Sequence, residues 1–246
     1  RISRTTEFND MGLLDGTVQG LSLQAGYGSD GSILSSLGGA LGDGTFASVS
    51  TQYTTEVADS YDIALSDLDA NGVLDMVTAG PTYTTVRMGI GDGTFSTYST
   101  RYITQTLSMA LALADLNQDG VMDAVTAGSA AGSGSATVRL GIGDGTFSSS
   151  KTQYTTESGG SMALALSDLN GDGILDMVTA GEDSGTIGQA TVRLGVGDGT
   201  FSSGTQYVTE ADGSSRAVAL ADLNGDGAVD MVTGGYYGTT IRVWKG

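Results

Sequence analysis

The 246-residue sequence contains no cysteine and no histidine. Without cysteine there can be no disulfide, no thiolate metal site and no cysteine nucleophile. Without histidine the usual general base near neutral pH and the commonest zinc ligand are both missing. Proline occurs once, at Pro81, and lysine twice, at Lys151 and Lys245. Basic residues are few: 10 against 28 acidic ones, a formal net charge of −18. A surface that acidic repels nucleic acid and anionic membranes and attracts cations. No run of 18 apolar residues exists, so no membrane-spanning helix is expected. The opening Arg1-Ile2-Ser3-Arg4 has no leader character, so export would need a leader outside this sequence.

What is abundant is glycine, 40 residues of it, with Ser, Thr and Val, which suits short strands and tight turns. These residues recur in register, and the recurrence is the dominant signal. Asp67-Leu-Asp-Ala-Asn-Gly-Val-Leu-Asp75-Met-Val-Thr-Ala-Gly80 returns from Asp115, Asp168 and Asp222, in steps of 48, 53 and 54 residues. Gly-Asp-Gly-Thr-Phe ends at Phe46, Phe95, Phe147 and Phe201. Thr-Gln-Tyr-x-Thr-Glu ends at Glu56, Glu157 and Glu210, with a weaker form around Tyr102.

Each unit reads as four strands. Strand a is the alternating run before the Asp loop, such as Met109–Leu113; a short amphipathic helix is the alternative there. Strand b is Met177–Thr179, strand c Thr191–Leu194, strand d Thr205–Glu210. Four-stranded repeats of this length are the mark of propeller blades. The expected fold is all-β: a five-bladed β-propeller of four-stranded antiparallel blades in one domain, 1–246. Residues 9–56 form a degenerate blade, 57–105, 106–157 and 158–210 full blades, and 211–246 the last. The last unit stops at strand c, and Ile2-Ser-Arg-Thr-Thr-Glu7 matches strand d. Residues 1–8 are therefore expected to complete the last blade and close the ring; the alternative is a cut from a longer array.

The Asp loops share D-x-[DN]-x-[DN]-G-x-x-D. Their side chains are Asp67, Asp69, Asn71 and Asp75; Asp115, Asn117, Asp119 and Asp123; Asp168, Asn170, Asp172 and Asp176; Asp222, Asn224, Asp226 and Asp230. Ca²⁺ takes six to eight oxygens at about 2.3–2.6 Å. Side chains at positions 1, 3, 5 and 9 and the carbonyl at position 7 (Val73, Val121, Ile174, Ala228) would supply them, with glycine at position 6 for the sharp turn. Mg²⁺ demands a stricter octahedron. Asp, Asn and Gly are also ordinary turn formers. Against that bland alternative, four of the five asparagines and 12 of the 28 acids fall in these loops. About four Ca²⁺ are expected, lowering the net charge from −18 to −10. An EF-hand would need Glu at position 12 and a following helix; here position 12 is threonine (Thr78, Thr126, Thr179, Thr233) and the flanks are strand-like. The first unit, Asp10-Met-Gly-Leu-Leu-Asp15-Gly16, has the wrong spacing for a metal.

Asp-Leu-Asn-Gly-Asp-Gly-x-x-Asp-Met-Val together with Gly-x-Gly-Asp-Gly-Thr-Phe resembles FG-GAP/VCBS-type repeats. Similar hairpins occur in integrin α-subunit propellers and in a fungal calcium-binding propeller lectin. The resemblance covers residues 57–246 strongly and 1–56 weakly. It implies a propeller, Ca²⁺ in the a–b hairpins and an extracellular or cell-surface recognition or adhesion setting, with no reaction. Those relatives usually have seven blades, so five is a departure.

Other recurrences have plainer readings. Asp43, Asp92, Asp144 and Asp198 read as turn residues, with the following Phe packed between blades. Arg87, Arg139, Arg193 and Arg242 are expected on strand c, paired with Glu56, Glu157 and Glu210. Trp244 is the lone tryptophan, read as a packing residue. The a–b and c–d turns share one face; the b–c and d–a connections share the other, where the copies diverge. Glycan or protein partners are expected on that variable face, with Tyr83, Tyr236 and Tyr237 as stacking candidates. The expected function is a non-catalytic, calcium-binding recognition or adhesion module, with carbohydrate among its candidate ligands. The alternatives are a self-associating subunit of an extracellular layer or filament, and a propeller polysaccharide lyase or glycosidase.

Overall fold

The computed structural model describes residues 51–53, 59–103, 107–184, 187–210, 213–236 and 241–246. The chain divides into two compact units, Arg1–Gln52 and Tyr53–Gly246. In the first unit only Thr51 and Gln52 are described, both exposed. The closing strand 1–8 and nearly all of the degenerate blade 9–56 lie outside the described residues.

The second unit is all-β: no helix occurs among the described residues, and strand a is a strand. Four antiparallel meanders follow one another in the chain. The first sheet is β1 (Asp62–Ser66), β2 (Asp75–Ala79), β3 (Tyr83–Arg87) and β4 (Thr100–Ile103). The second is β5 (Leu107–Ala114), β6 (Asp123–Ala130), β7 (Ser133–Arg139) and β8 (Thr152–Thr155). The third is β9 (Gly160–Ser167), β10 (Asp176–Glu182), β11 (Gly188–Arg193) and β12 (Thr205–Glu210). The fourth has three described strands, β13 (Ser214–Ala221), β14 (Asp230–Tyr236) and β15 (Ile241–Trp244).

Burial follows the strand's place in its sheet. The second strands are buried along almost their whole length, as β2 and β6 show. The fourth strands, such as β4 and β8, are mostly exposed. The first strands of successive sheets pack side by side, β1 on β5, β5 on β9 and β9 on β13. Small alanines alternating with Leu or Met let these strands crowd together. In sheets two to four the first strand carries a bulge, at Met109, Met162 and Arg216. The facing glycine there has no room for a side chain: a Cβ on Gly128 or Gly181 would run into the backbone carbonyl of Leu107 or Gly160.

Between sheets lie apolar clusters built by one recurring device. The Phe of Gly-Asp-Gly-Thr-Phe in the second and third sheets enters the core of the preceding sheet. Phe147 packs with Leu68, Val77 and Val86, and Phe201 with Leu116, Val125 and Val138. The fourth-strand tyrosine of the preceding sheet meets that Phe edge-on at 5.7 Å in Tyr102–Phe147 and Tyr154–Phe201, and Tyr53 meets Phe95 in the same way at 5.8 Å. The tyrosine oxygen also accepts the Phe backbone N–H in all three pairs. The turn aspartates are turn residues, as expected: Asp92, Asp144 and Asp198 each accept the N–H and O–H of the threonine two residues on.

Two expectations about strand c need correcting. Arg139 and Arg193 spend their guanidinium hydrogen bonds on backbone carbonyls, Ser148, Ser149 and Ile103 for the first and Ser202 and Thr155 for the second. Each also covers the tyrosine ring of the preceding sheet, Tyr102 and Tyr154. Glu157 is buried and accepts from Ser161 and Thr179 instead. An ion pair does form where Arg242 Nε lies 3.9 Å from Glu210. Arg242, however, is not the fourth member of the arginine series. Met231 faces Trp244 as Met177 faces Arg193, so Trp244 takes that place, 6.0 Å from Tyr207.

Candidate metal centres

Each Asp loop joins the first strand of a sheet to the second. Its shape comes from two left-handed residues. The glycine at position 6 has φ of +84°, +85°, +82° and +90° in Gly72, Gly120, Gly173 and Gly227. Position 4 is left-handed as well: Gly171 and Gly225 in the last two loops, but Ala70 (φ +57°) and Gln118 (φ +60°) in the first two. That second requirement was not read from the sequence, because only two of four copies signal it with glycine.

The position-1 carboxylates gather backbone N–H groups. Asp67 accepts from Asn71 and Gly72, and Asp115 from Asp119 and Gly120. Asp168 accepts from Gly171, Asp172 and Gly173, and Asp222 from Gly225, Asp226 and Gly227. These bonds, led by the one from Gly173 or Gly227, hold the Asp168 and Asp222 carboxyls below the ordinary aspartate range. The position-5 oxygen accepts the N–H of position 7: Asn71 from Val73, Asp119 from Val121, Asp172 from Ile174 and Asp226 from Ala228. Positions 3 and 5 are tied by an amide-to-carboxylate bond of 2.8–2.9 Å, with Asn at position 5 in the first loop and at position 3 in the others.

The position-9 acids differ from the rest. Asp75, Asp123 and Asp176 are 0% exposed and Asp230 is 1% exposed. One oxygen of each accepts the position-2 N–H of its own loop, from Leu68, Leu116, Leu169 or Leu223. The other accepts the N–H of a glycine just beyond the third strand: Gly89, Gly141, Gly195 or Gly246. The acid expected only to close a cage therefore also fastens the a–b loop to the next hairpin. The repeated glycine opening Gly-x-Gly-Asp-Gly-Thr-Phe was the available signal.

The donor set fits a hard divalent cation. Carboxylate oxygens of Asp67, Asp69 and Asp75 all lie within 4.8 Å of one another. Among the described residues no lysine or arginine pairs with a loop acid. In the second loop, burial pushes the Asp123 carboxyl up, bonds from Gly141 and Leu116 pull it down, and the charges of Asp119 and Asp115 push it up again. Oxygen-only ligands and crowded negative charge are what Ca²⁺ takes.

The tyrosine candidates are not gathered. Tyr83 opens β3 in the first sheet, and Tyr236 ends β14 in the fourth, half-exposed. Arg101 covers the Tyr83 ring at 5.7 Å and Arg216 the Tyr236 ring at 4.8 Å. Tyr237 lies outside the described residues.

A family model for FG-GAP-like repeats matches residues 67–126, 128–179 and 168–233. No curated protein sequence matches this one. Among solved structures, a lectin of Agrocybe aegerita that recognises non-reducing terminal N-acetylglucosamine is 25% identical, covering 69% of this chain and 45% of its own, with a TM-score of 0.47. The NanB sialidase of Streptococcus pneumoniae is 14% identical over 73% of this chain and 29% of its own, TM-score 0.48. The Tc holotoxin pore of Photorhabdus luminescens is 18% identical over 74% of this chain and 9% of its own, TM-score 0.45. The chain thus spans less than half the length of each of these proteins.

Proposed function

Because the chain belongs to the family of FG-GAP-like repeats, we propose that it is a calcium-stabilised, five-bladed propeller acting outside the cell as a non-catalytic recognition module. The observation that carries this reading is the set of four oxygen-lined loops, with the Asp67, Asp69 and Asp75 carboxylates within 4.8 Å of one another and, among the described residues, no basic side chain paired with them. Ca²⁺ bound there would offset like-charge repulsion that the folded chain otherwise bears. Millimolar Ca²⁺, as found outside cells, fills even weak loops. The five-bladed ring is supported by the match of Ile2–Glu7 to the fourth-strand pattern and by the three described strands of the last sheet.

Recognition is assigned to the face of the b–c and d–a connections, where Tyr83 and Tyr236 stand and the copies differ. The lack of His and Cys, and the backbone hydrogen bonds that occupy the loop acids, favour this non-catalytic reading over a carboxylate-pair hydrolase.

A melting curve with millimolar Ca²⁺ and one with chelator test the calcium reading. Four sites filled well above their dissociation constants should raise the midpoint by roughly 20 °C or more; equal midpoints would overturn it. A glycan array with the wild type and the Tyr83→Ala/Tyr236→Ala double variant tests the recognition face. Unchanged binding by the variant would exclude these tyrosines.

A further inference from the structure

Position 4 of each Asp loop is left-handed, a shape that glycine takes without strain. The second loop nevertheless carries Gln118 there, at φ +60°. Its side chain leaves its own loop: Nε2 donates to the backbone carbonyl of Gly173 in the third loop at 3.0 Å, across 55 residues of chain. Ala70, Gly171 and Gly225 hold the same place in the other loops and have no side-chain donor. Gln118 thus joins two candidate metal centres directly, in sheets whose first strands, β5 and β9, pack side by side.

The acceptor sits inside the ligand set of the third loop. Gly173 lies between Asp172, the position-5 side chain, and Ile174, whose carbonyl stands at position 7. Its N–H donates to Asp168, and the N–H of Ile174 to Asp172, both at 2.8 Å. The Gly173 carbonyl and the Ile174 N–H belong to one planar peptide, so a bond to the carbonyl also steadies the N–H that holds the Asp172 carboxylate. Gly173, at φ +82°, has no side chain of its own to restrict it; Gln118 restricts it from the neighbouring loop. We infer that Gln118 is a positioning residue for the third loop: it holds the peptide between residues 173 and 174 in the shape that presents Asp172 and the Ile174 carbonyl to a hard divalent cation, and so raises that loop's affinity. The inference rests on the calcium reading above. The bond also needs Gln118 to be held in place between Asn117 and Asp119. Ordering the second loop therefore favours the third, and by linkage the third favours the second by the same factor.

The position-6 amides of Gly72, Gly120, Gly173 and Gly227 give one nuclear magnetic resonance reporter for each loop. The ¹⁵N-labelled full chain is titrated with chelator-buffered Ca²⁺, as wild type and as Gln118→Met, which keeps the length of an exposed side chain and removes its donor. The variant should bind Ca²⁺ about threefold more weakly at Gly173, the worth of one exposed neutral hydrogen bond, with Gly72 and Gly227 unchanged. Asp119→Ala, which weakens the second loop, should lower the affinity read at Gly173 by a similar factor in the wild type and leave it unaltered in Gln118→Met. Equal affinity at Gly173 in wild type and Gln118→Met, or a loss shared evenly by all four loops, would overturn the inference and leave the calcium reading standing. No calcium-dependent shift at any of the four glycines would overturn the calcium reading and this inference with it.

Discussion

The Tyr154 oxygen accepts the backbone N–H of Phe201 at 2.8 Å, and their rings meet edge-on at 5.7 Å, across 47 residues of chain. One side chain thus closes a hydrogen bond and an aromatic contact between two sheets, while Arg193 covers its face at 5.1 Å. Repeats stacked in this way share their cores, so a boundary residue supports both neighbours.

Removing the ring and removing the bond should therefore separate in magnitude. Phe201→Ala opens a cavity at a position only 7% exposed and should cost about 3–5 kcal/mol. Tyr154→Phe keeps the ring but strands the Phe201 N–H, and should cost about 1–3 kcal/mol. Denaturant midpoints measured in saturating Ca²⁺ check both. A loss in Tyr154→Phe as large as that in Phe201→Ala would mean the ring contact contributes little.

Position 4 of the first two loops carries backbone strain that the last two avoid. Ala70 and Gln118 are left-handed, where a Cβ costs roughly 1–2 kcal/mol. Ala70→Gly should therefore stabilise the chain by about 1 kcal/mol, despite the added chain entropy of glycine. Gly171→Ala should lose a similar amount, although nothing lies within 4 Å of the added Cβ. Melting curves of both variants decide it, and a falling midpoint for Ala70→Gly would refute the account.

These cases show what sequence pattern carries and what it does not. The four-strand unit was legible because alternation and turn residues act locally, and Thr205–Glu210 forms a strand over its full expected range. The oxygen-rich loops were legible because the spacing of their Asp and Asn side chains is itself a local property. Register across strands is not local. Arg242 fits the arginine series by residue type, yet pairing with β14 places Trp244 there, because three residues separate Arg242 from Gly246 where one separates Arg193 from Gly195. Which backbone N–H groups a buried acid reaches is likewise decided by tertiary contact. Hence the reach of Asp176 to Gly195, 19 residues on, was not read.

Two of the turn acids should make stability sensitive to acid. Asp92 and Asp198 are held below the ordinary aspartate range, first by the threonine hydroxyl and then by the threonine N–H. A carboxylate whose folded value is depressed contributes its stability above the unfolded value and loses it as pH falls through the folded one. The wild type should thus lose stability below about pH 4 more steeply than Asp198→Asn, which has no charge to lose at that site. The midpoint difference between the two should be largest near neutrality and shrink toward acid. A difference constant with pH would remove the turn carboxylate from the account.

The two kinds of loop acid should respond differently to amide substitution. In the third loop Asn170 and Asp172 are tied to each other, and the first loop uses the opposite order, Asp69 then Asn71, with the same bonds. The double swap Asn170→Asp/Asp172→Asn should therefore preserve both calcium stoichiometry and melting temperature. Asp176→Asn is isosteric but cannot accept two N–H groups, because one oxygen becomes a donor. With Leu169 and Gly195 both pointing at a buried side chain, one N–H is left facing an amide, at a cost of about 1–3 kcal/mol. That cost should appear in chelator as well as in Ca²⁺, since it arises from the backbone fastening and not from the ion. Calorimetric titration and melting of both variants, with and without chelator, make the comparison. A penalty in Asp176→Asn that disappears when calcium is removed would reduce this buried acid to a ligand alone.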